Sequence, residues 1–145
     1  MSLRDESRPP HFLEAAALAT LERGINTALR TDPASFKALS EHAGRLVALH
    51  LTLPPIRIYA LIVEDGVELY HESDADADVL LQGSPVDLLS QLFDWRGAPS
   101  LVGGPVAIKG ERELLQQLVA LARELDIDWG ALFEPILGSE LAQQI

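Results

Sequence analysis

The sequence predicts an α+β fold in which one sheet of five strands, mostly antiparallel or mixed, carries helices over one face. Segments near both ends of the chain keep the three- and four-residue spacing of apolar residues that is typical of amphipathic helices. Between them lie short runs of branched apolar residues, bounded by prolines and by an Asp-Gly pair. Runs of strands beside runs of helices favour one sheet with helices packed on it.

The first two elements are predicted to be helices. Apolar residues recur at helical spacing from Phe12 to Leu29, which predicts the first helix. Asp32 is a capping residue that precedes Pro33, and proline suits the first position of a helix. A second, short helix is therefore expected from Pro33 to about His42.

Five strands follow from the apolar runs and their boundaries. The predicted strands comprise residues 45–53, 57–63, 67–71, 79–82 and 106–108. Pro54 and Pro55 end the first strand because proline cannot continue a ladder, and Asp65-Gly66 supplies the tight hairpin before the third. A connection long enough to contain a helix precedes the last strand, which therefore need not be antiparallel, and a mixed sheet is expected.

Three further helices are predicted around and after the fifth strand. Ser84-Pro85 is a cap followed by proline and opens an amphipathic helix. The clearest helical pattern in the chain runs from Glu111 to Leu125, where leucines occupy one side and charged residues the other. A last helix is expected around Asp128 to Leu137, with Asp128 as its cap and Trp129 as a core anchor whose N–H is bonded.

Length and charge narrow the class of protein. The 145 residues suit a single domain, which is predicted to span residues 12–145 after a flexible lead-in of residues 1–11. The formal net charge of -11 would repel a phosphate backbone, so nucleic acid is not an expected partner. There are no cysteines, no run of apolar residues long enough to span a membrane and no apolar secretion signal, so a cytoplasmic protein without a transmembrane segment is expected.

Residues with catalytic or metal-binding chemistry do not form a recognisable pattern. The four histidines lack the spacing of a zinc motif, and solvent-facing or hydrogen-bonded histidines are the favoured interpretation. Asp74, Asp76 and Asp78 resemble the start of a calcium loop, but the glycine position holds Val79 and the twelfth position holds Pro85. These acids are expected to lie in a solvated loop. No catalytic residue, metal site or cofactor is predicted.

Apolar residues offer the remaining chemistry. The second strand is apolar on both faces, and two explanations stay open: a strand covered on both sides, or a sheet whose helical cover leaves an apolar tunnel. For the second case, apolar positions on two predicted strands and three predicted helices are proposed to line the tunnel and bind lipid. These residues are Leu49, Leu51, Ile58, Leu92, Phe93, Leu118, Leu121 and Phe133.

Several motifs carry a resemblance that extends from about residue 12 to residue 145. They are INTALRTDP, HAGRLVALHL, DADVLLQGSPVDLL, GPVAIKGERELLQQLVALARELDIDW and LGSELAQQI, of which LDIDW after an LLQQL helix is the most specific. With them the chain resembles the sterol carrier protein type two domain family, in particular its accessory factors of ubiquinone biosynthesis. The chain departs from the family pattern at Glu111, where an aspartate is usual, and at Gly130, where an acid is usual.

The resemblance implies a sterol-carrier-like domain with a hydrophobic tunnel and no catalysis. Its expected ligand is an isoprenoid lipid or ubiquinone intermediate, and its expected partners are other ubiquinone-biosynthesis proteins. The oligomeric state and the presence of a coiled-coil segment after Ile145 are left open. The alternatives are a closed protein-interaction module without a ligand and an enzyme built on the same fold, although no nucleophile and base stand at a spacing that indicates catalysis.

Overall fold

The computed structural model describes residues 8–52, 55–93 and 106–132. The helices are α1 (Arg8–Arg30), α2 (Pro33–Ser40), α3 (Pro85–Phe93) and α4 (Arg112–Glu124). The strands are β1 (Leu46–Thr52), β2 (Pro55–Val63), β3 (Gly66–Tyr70), β4 (Val79–Gly83) and β5 (Ala107–Gly110). Their order along the chain is the predicted one, and most bounds lie within two residues of the prediction.

The five strands form one mixed sheet in the order β3-β2-β1-β4-β5, which confirms the predicted fold class. Only the β1–β4 pair is parallel, while β5 runs antiparallel to β4. The sequence allowed a parallel last strand, but the parallel strand is the fourth. The hairpin of β2 and β3 folds back along one side of β1, so the other side of β1 is free to pair with β4.

Helix α1 begins at Arg8, four residues before the predicted start. Pro9 and Pro10 fall in the first turn, where the missing N–H groups have no partner inside the helix, so they do not end it. Residues 8–11 are therefore part of α1. The predicted cap of α2 is confirmed, because the Asp32 carboxylate accepts from the backbone N–H of Ser35 at 3.2 Å.

The helices pack on one apolar face of the sheet. Ile58 in β2 and Val79 and Leu81 in β4 are almost fully buried there, in one cluster with Leu21 of α1 and Leu114 of α4. A second cluster joins α1, α2 and the hairpin. Both clusters exclude apolar surface from water, which is the main stabilising contribution to a domain of this size.

Polar side chains of α1 cover the edge strand β3. Asn26 donates to the carbonyl oxygen of Val67 at 3.0 Å and accepts from its N–H at 2.9 Å, while Glu22 accepts from the N–H of Leu69 at 2.9 Å. Gly66, with a φ of 135°, stands next to this contact. A Cβ atom on Gly66 would lie 2.2 Å from the Asn26 amide oxygen, so only glycine leaves room for the helix.

The last predicted elements are described in part. Residues 129–132 are helical, and the remainder of the helix expected at 128–137 lies outside the described residues, as does the C-terminal fragment. The predicted cap is present, because the Asp128 carboxylate accepts from the N–H of Ala131 at 3.1 Å.

Candidate functional site

An apolar cavity of about 200 Å³ lies between the sheet and its helical cover. Strands β1 to β4 supply its floor, for example through Leu49 and Ile58. Helix α1 supplies one wall through Leu21, Ile25 and Leu29, which follow each other at four-residue steps and so share one side of the helix. Helix α4 and the residues after it supply the opposite wall.

Four of the proposed lining residues lie around this cavity: Leu49, Ile58, Leu118 and Leu121. Leu51 is buried in the core cluster on the same face of the sheet and is not among the cavity residues. The side chains of Leu92 and Phe93 in α3, and Phe133 altogether, lie outside the described residues. That these residues contact lipid stays a prediction.

Sequence reasoning missed the wall that α1 provides. The spacing of Leu21, Ile25 and Leu29 identified a helix with a buried side but gave no reason to place that side beside a cavity instead of in a filled core. Val67 and Leu69 of the edge strand β3 were missed as well. Strand alternation was the available signal, since both residues face the same side of the sheet as Ile62 and Ala60, their pairing partners.

The described wall of the cavity offers hydrocarbon contacts. All described lining residues except Trp129 have aliphatic side chains. The indole nitrogen of Trp129 donates to the carbonyl oxygen of Ala122 at 3.1 Å, which confirms the predicted N–H bond and satisfies this donor. A polar group in such a cavity would lose its bonds to water without replacement, whereas an apolar group gains from leaving water. The site therefore favours an apolar ligand or an apolar part of one.

None of the ionisable side chains in the described ranges lines the cavity. His50 alternates with Leu49 and Leu51 along β1 and therefore faces the opposite side of the sheet, where its Nε2 lies 3.4 Å from the hydroxyl of Tyr59. Burial, with a smaller contribution from the Arg57 charge, lowers the pKa of His50 below its usual value. Within the described residues, no group of three or more His, Asp and Glu side chains is arranged to hold a metal ion.

None of the helices in the described ranges is long and apolar enough to cross a membrane.

The family model of the SCP-2 sterol transfer family matches residues 25–123. The chain belongs to this family. The matched range runs from the cavity wall of α1 to α4, so it contains most of the residues that line the cavity of this SCP-2 family member.

Several solved structures share the fold of this SCP-2 domain, and two of them have a TM-score of 0.50 or more. One is a ubiquinone synthesis protein, UbiJ-SCP2, with a TM-score of 0.62 and 22% sequence identity over 75% of this chain and 95% of that chain. The other is the stereoselective inverting sec-alkylsulfatase Pisa1 from Pseudomonas sp., with a TM-score of 0.50 and 16% identity over 69% of this chain but only 15% of the sulfatase. No curated protein sequence matches the chain.

Proposed function

We propose that this SCP-2 domain is a non-catalytic, cytoplasmic lipid-binding accessory factor of ubiquinone biosynthesis, which holds an isoprenoid intermediate for soluble enzymes of the pathway. The observation that carries the proposal is the aliphatic cavity of about 200 Å³ under the helices. The fold of a ubiquinone synthesis protein over most of the chain supports the choice of pathway.

The volume of the cavity indicates which part of a lipid enters it. A cavity of roughly 150 Å³ with aliphatic and aromatic walls accepts benzene, and complete ligand sites usually measure about 300 to 1,000 Å³. The cavity therefore has room for the apolar end of a chain, while a polar ring would stay at its mouth. Each buried CH₂ group contributes about 0.8 kcal/mol, so a few isoprenoid carbons give useful affinity.

A closed interaction module is the competing proposal, and filling the cavity distinguishes the two. Leu118 and Leu121 line the cavity from α4, whereas Leu114 is buried in the core and Gln117 is exposed on the same helix. Leu118→Trp and Leu121→Trp should each fill the cavity and greatly weaken binding of cis-parinaric acid, a fluorescent fatty acid. The free energy of unfolding should fall by no more than about 1 to 3 kcal/mol, the usual cost of overpacking.

Two variants on the same helix serve as controls. Gln117→Trp adds the same side chain at the surface and should bind the probe as the parent does. Leu114→Trp should lower stability more than it lowers probe affinity. Equal probe affinity in all four variants, with the fold intact by circular dichroism, would contradict lipid binding in the cavity and favour the closed module.

Mass spectrometry of lipids extracted from the purified protein tests the ligand class. An isoprenoid quinone precursor is the expected species. Recovery of fatty acids or phospholipids alone would argue against the ubiquinone pathway while leaving the lipid-binding cavity in place.

A further inference from the structure

A short segment after α4 bridges two helices of the cavity wall. Helices α1 and α4 make few direct contacts with each other within the described residues. Residues 126–132 lie between them: Trp129 lines the cavity and is bonded to Ala122 of α4, while Leu132 packs against α1. The segment therefore connects the two walls across the helical side of the cavity.

This segment packs against α1 at Gly24, through the side chain of Leu132. A Cβ atom at this position would lie 2.7 Å from Cδ1 of Leu132, closer than two carbon atoms pack. Glycine within a helix is less favourable than alanine, so its presence in the interior of α1 needs a reason. The contact supplies that reason, because the absent side chain lets Leu132 lie directly on the helix.

Local bonds hold the segment together. The N–H of Ile127 donates to the carbonyl oxygen of Leu125 at 2.9 Å, and that of Leu132 donates to the carbonyl oxygen of Asp128 at 3.0 Å. Bonds between near neighbours survive when a segment moves as a unit, whereas the bonds of the five-stranded sheet tie distant residues together. The bond from Trp129 to Ala122 holds the segment to α4, so the segment can lift from α1 while it stays attached to α4. Such a segment opens at a lower free energy than the sheet below it.

We infer that residues 126–132 form a movable cover of the cavity, with Gly24 as its seat, and that lipid enters and leaves when this cover lifts from α1. The inference rests on the proposed lipid binding and adds its route. The cavity as it stands takes only the apolar end of a lipid, and lifting the cover enlarges it for more of a long chain. Loop closure over a ligand commonly sets the rates of binding and release.

The test changes the two residues of the Gly24–Leu132 contact, first singly and then together. Gly24→Ala pushes against Leu132, and Leu132→Ala removes the side chain that rests on Gly24. Each single variant should speed both association and dissociation of cis-parinaric acid in stopped-flow fluorescence, by roughly two- to tenfold, as expected for a lost contact between neighbours. The equilibrium affinity should change much less, because Leu132 is not among the cavity residues.

The double variant Gly24→Ala/Leu132→Ala distinguishes a cover from general loosening. The new methyl group occupies the space that the leucine leaves, so both rates should return toward those of the parent. Thr27→Ala, an exposed change on α1, is the control and should leave the rates unchanged.

Three outcomes would contradict the inference. Single variants with parental rates, or a double variant whose rates are the product of the two single effects, would show that the segment does not gate the cavity. Both results leave lipid binding itself standing. A parent protein that does not bind the probe would overturn the proposed function and the cover together.

Discussion

Asp78 lies directly before β4 and is hydrogen-bonded both to β1 and to the residue that precedes α4. Its carboxylate accepts from the N–H of Leu46 in β1 at 2.8 Å and lies 3.3 Å from Nε of Arg45, while its backbone oxygen accepts from the N–H of Glu111 at 3.0 Å. Gly110 makes this possible, because a Cβ atom there would lie 2.2 Å from that oxygen. Arg45 also pairs with Glu111. The expectation of a solvated loop is therefore wrong for Asp78.

Asp78 should make the stability of the domain depend on pH. The bond from Leu46, followed by the Arg45 charge, lowers the pKa of Asp78 below its usual value, against a partial opposing effect of burial. A lowered pKa stabilises the fold above the unfolded-state pKa of about 3.9, and this contribution is lost as the pH falls through the folded-state pKa. Asp78→Asn should cost about 1.5 kcal/mol at pH 7, the lower end of the range for a hydrogen bond to a charged group, because the carboxylate is partly exposed to solvent.

Urea unfolding of both proteins at a series of pH values measures this effect. The difference between parent and Asp78→Asn should shrink toward zero as the pH falls below about 4. Asp76→Asn removes a negative charge from the exposed part of the same loop and serves as the control. If the difference in the free energy of unfolding stays constant down to acidic pH, the contribution of Asp78 does not depend on its charge.

At the scale of elements, α1 serves both as a cavity wall and as a cover for the sheet edge. Its apolar stripe faces the cavity, and the adjacent Glu22 and Asn26 bond to the backbone of β3. An uncovered edge strand is a template for pairing with other chains. This arrangement could not be predicted, because Asn26 and Val67 stand 41 residues apart and helical spacing says nothing about hydrogen bonds to a distant strand.

Removing the Asn26 side chain should loosen this edge. Asn26→Ala leaves both backbone groups of Val67 without their partner, which costs about 1 to 3 kcal/mol of stability for a buried polar group. Urea unfolding measures the cost, and faster hydrogen exchange at the Val67 amide should accompany it. Thr27→Ala makes the same kind of change at an exposed position of α1 and should have little effect. Unchanged exchange at Val67 would show that the helix does not protect the edge.

For the whole molecule, local patterns predicted the fold better than the site. The order of elements followed from the Asp32-Pro33 and Ser84-Pro85 signals, the Asp65-Gly66 pair and the spacing of leucines. The cavity did not follow from these local patterns, because it depends on the distance between the helices and the sheet. In α4, Leu114 and Leu118 belong to one periodic stripe, yet the first is buried in the core and the second faces the cavity.

The net charge of -11 also acts at this scale, because it governs how the protein approaches a membrane that holds its lipid. Anionic vesicles should repel the protein, while zwitterionic vesicles should not. Uptake of a fluorescent isoprenoid should therefore be slower from anionic vesicles at low salt. Raising the ionic strength from 0.1 M to 1 M shortens the screening length from about 10 Å to about 3 Å, and the two rates should converge.

Fluorescence transfer from vesicles of the two compositions measures these rates. Leu118→Trp is the control for passage through the cavity, since it keeps the charge but fills the site, and its uptake should be slow from both kinds of vesicle. Equal rates from both vesicles at low salt would show that a local surface, and not the net charge, controls the encounter. If the two uptake rates converge at high salt in the parent while uptake by Leu118→Trp stays slow, lipid uptake depends on both the net charge and the cavity.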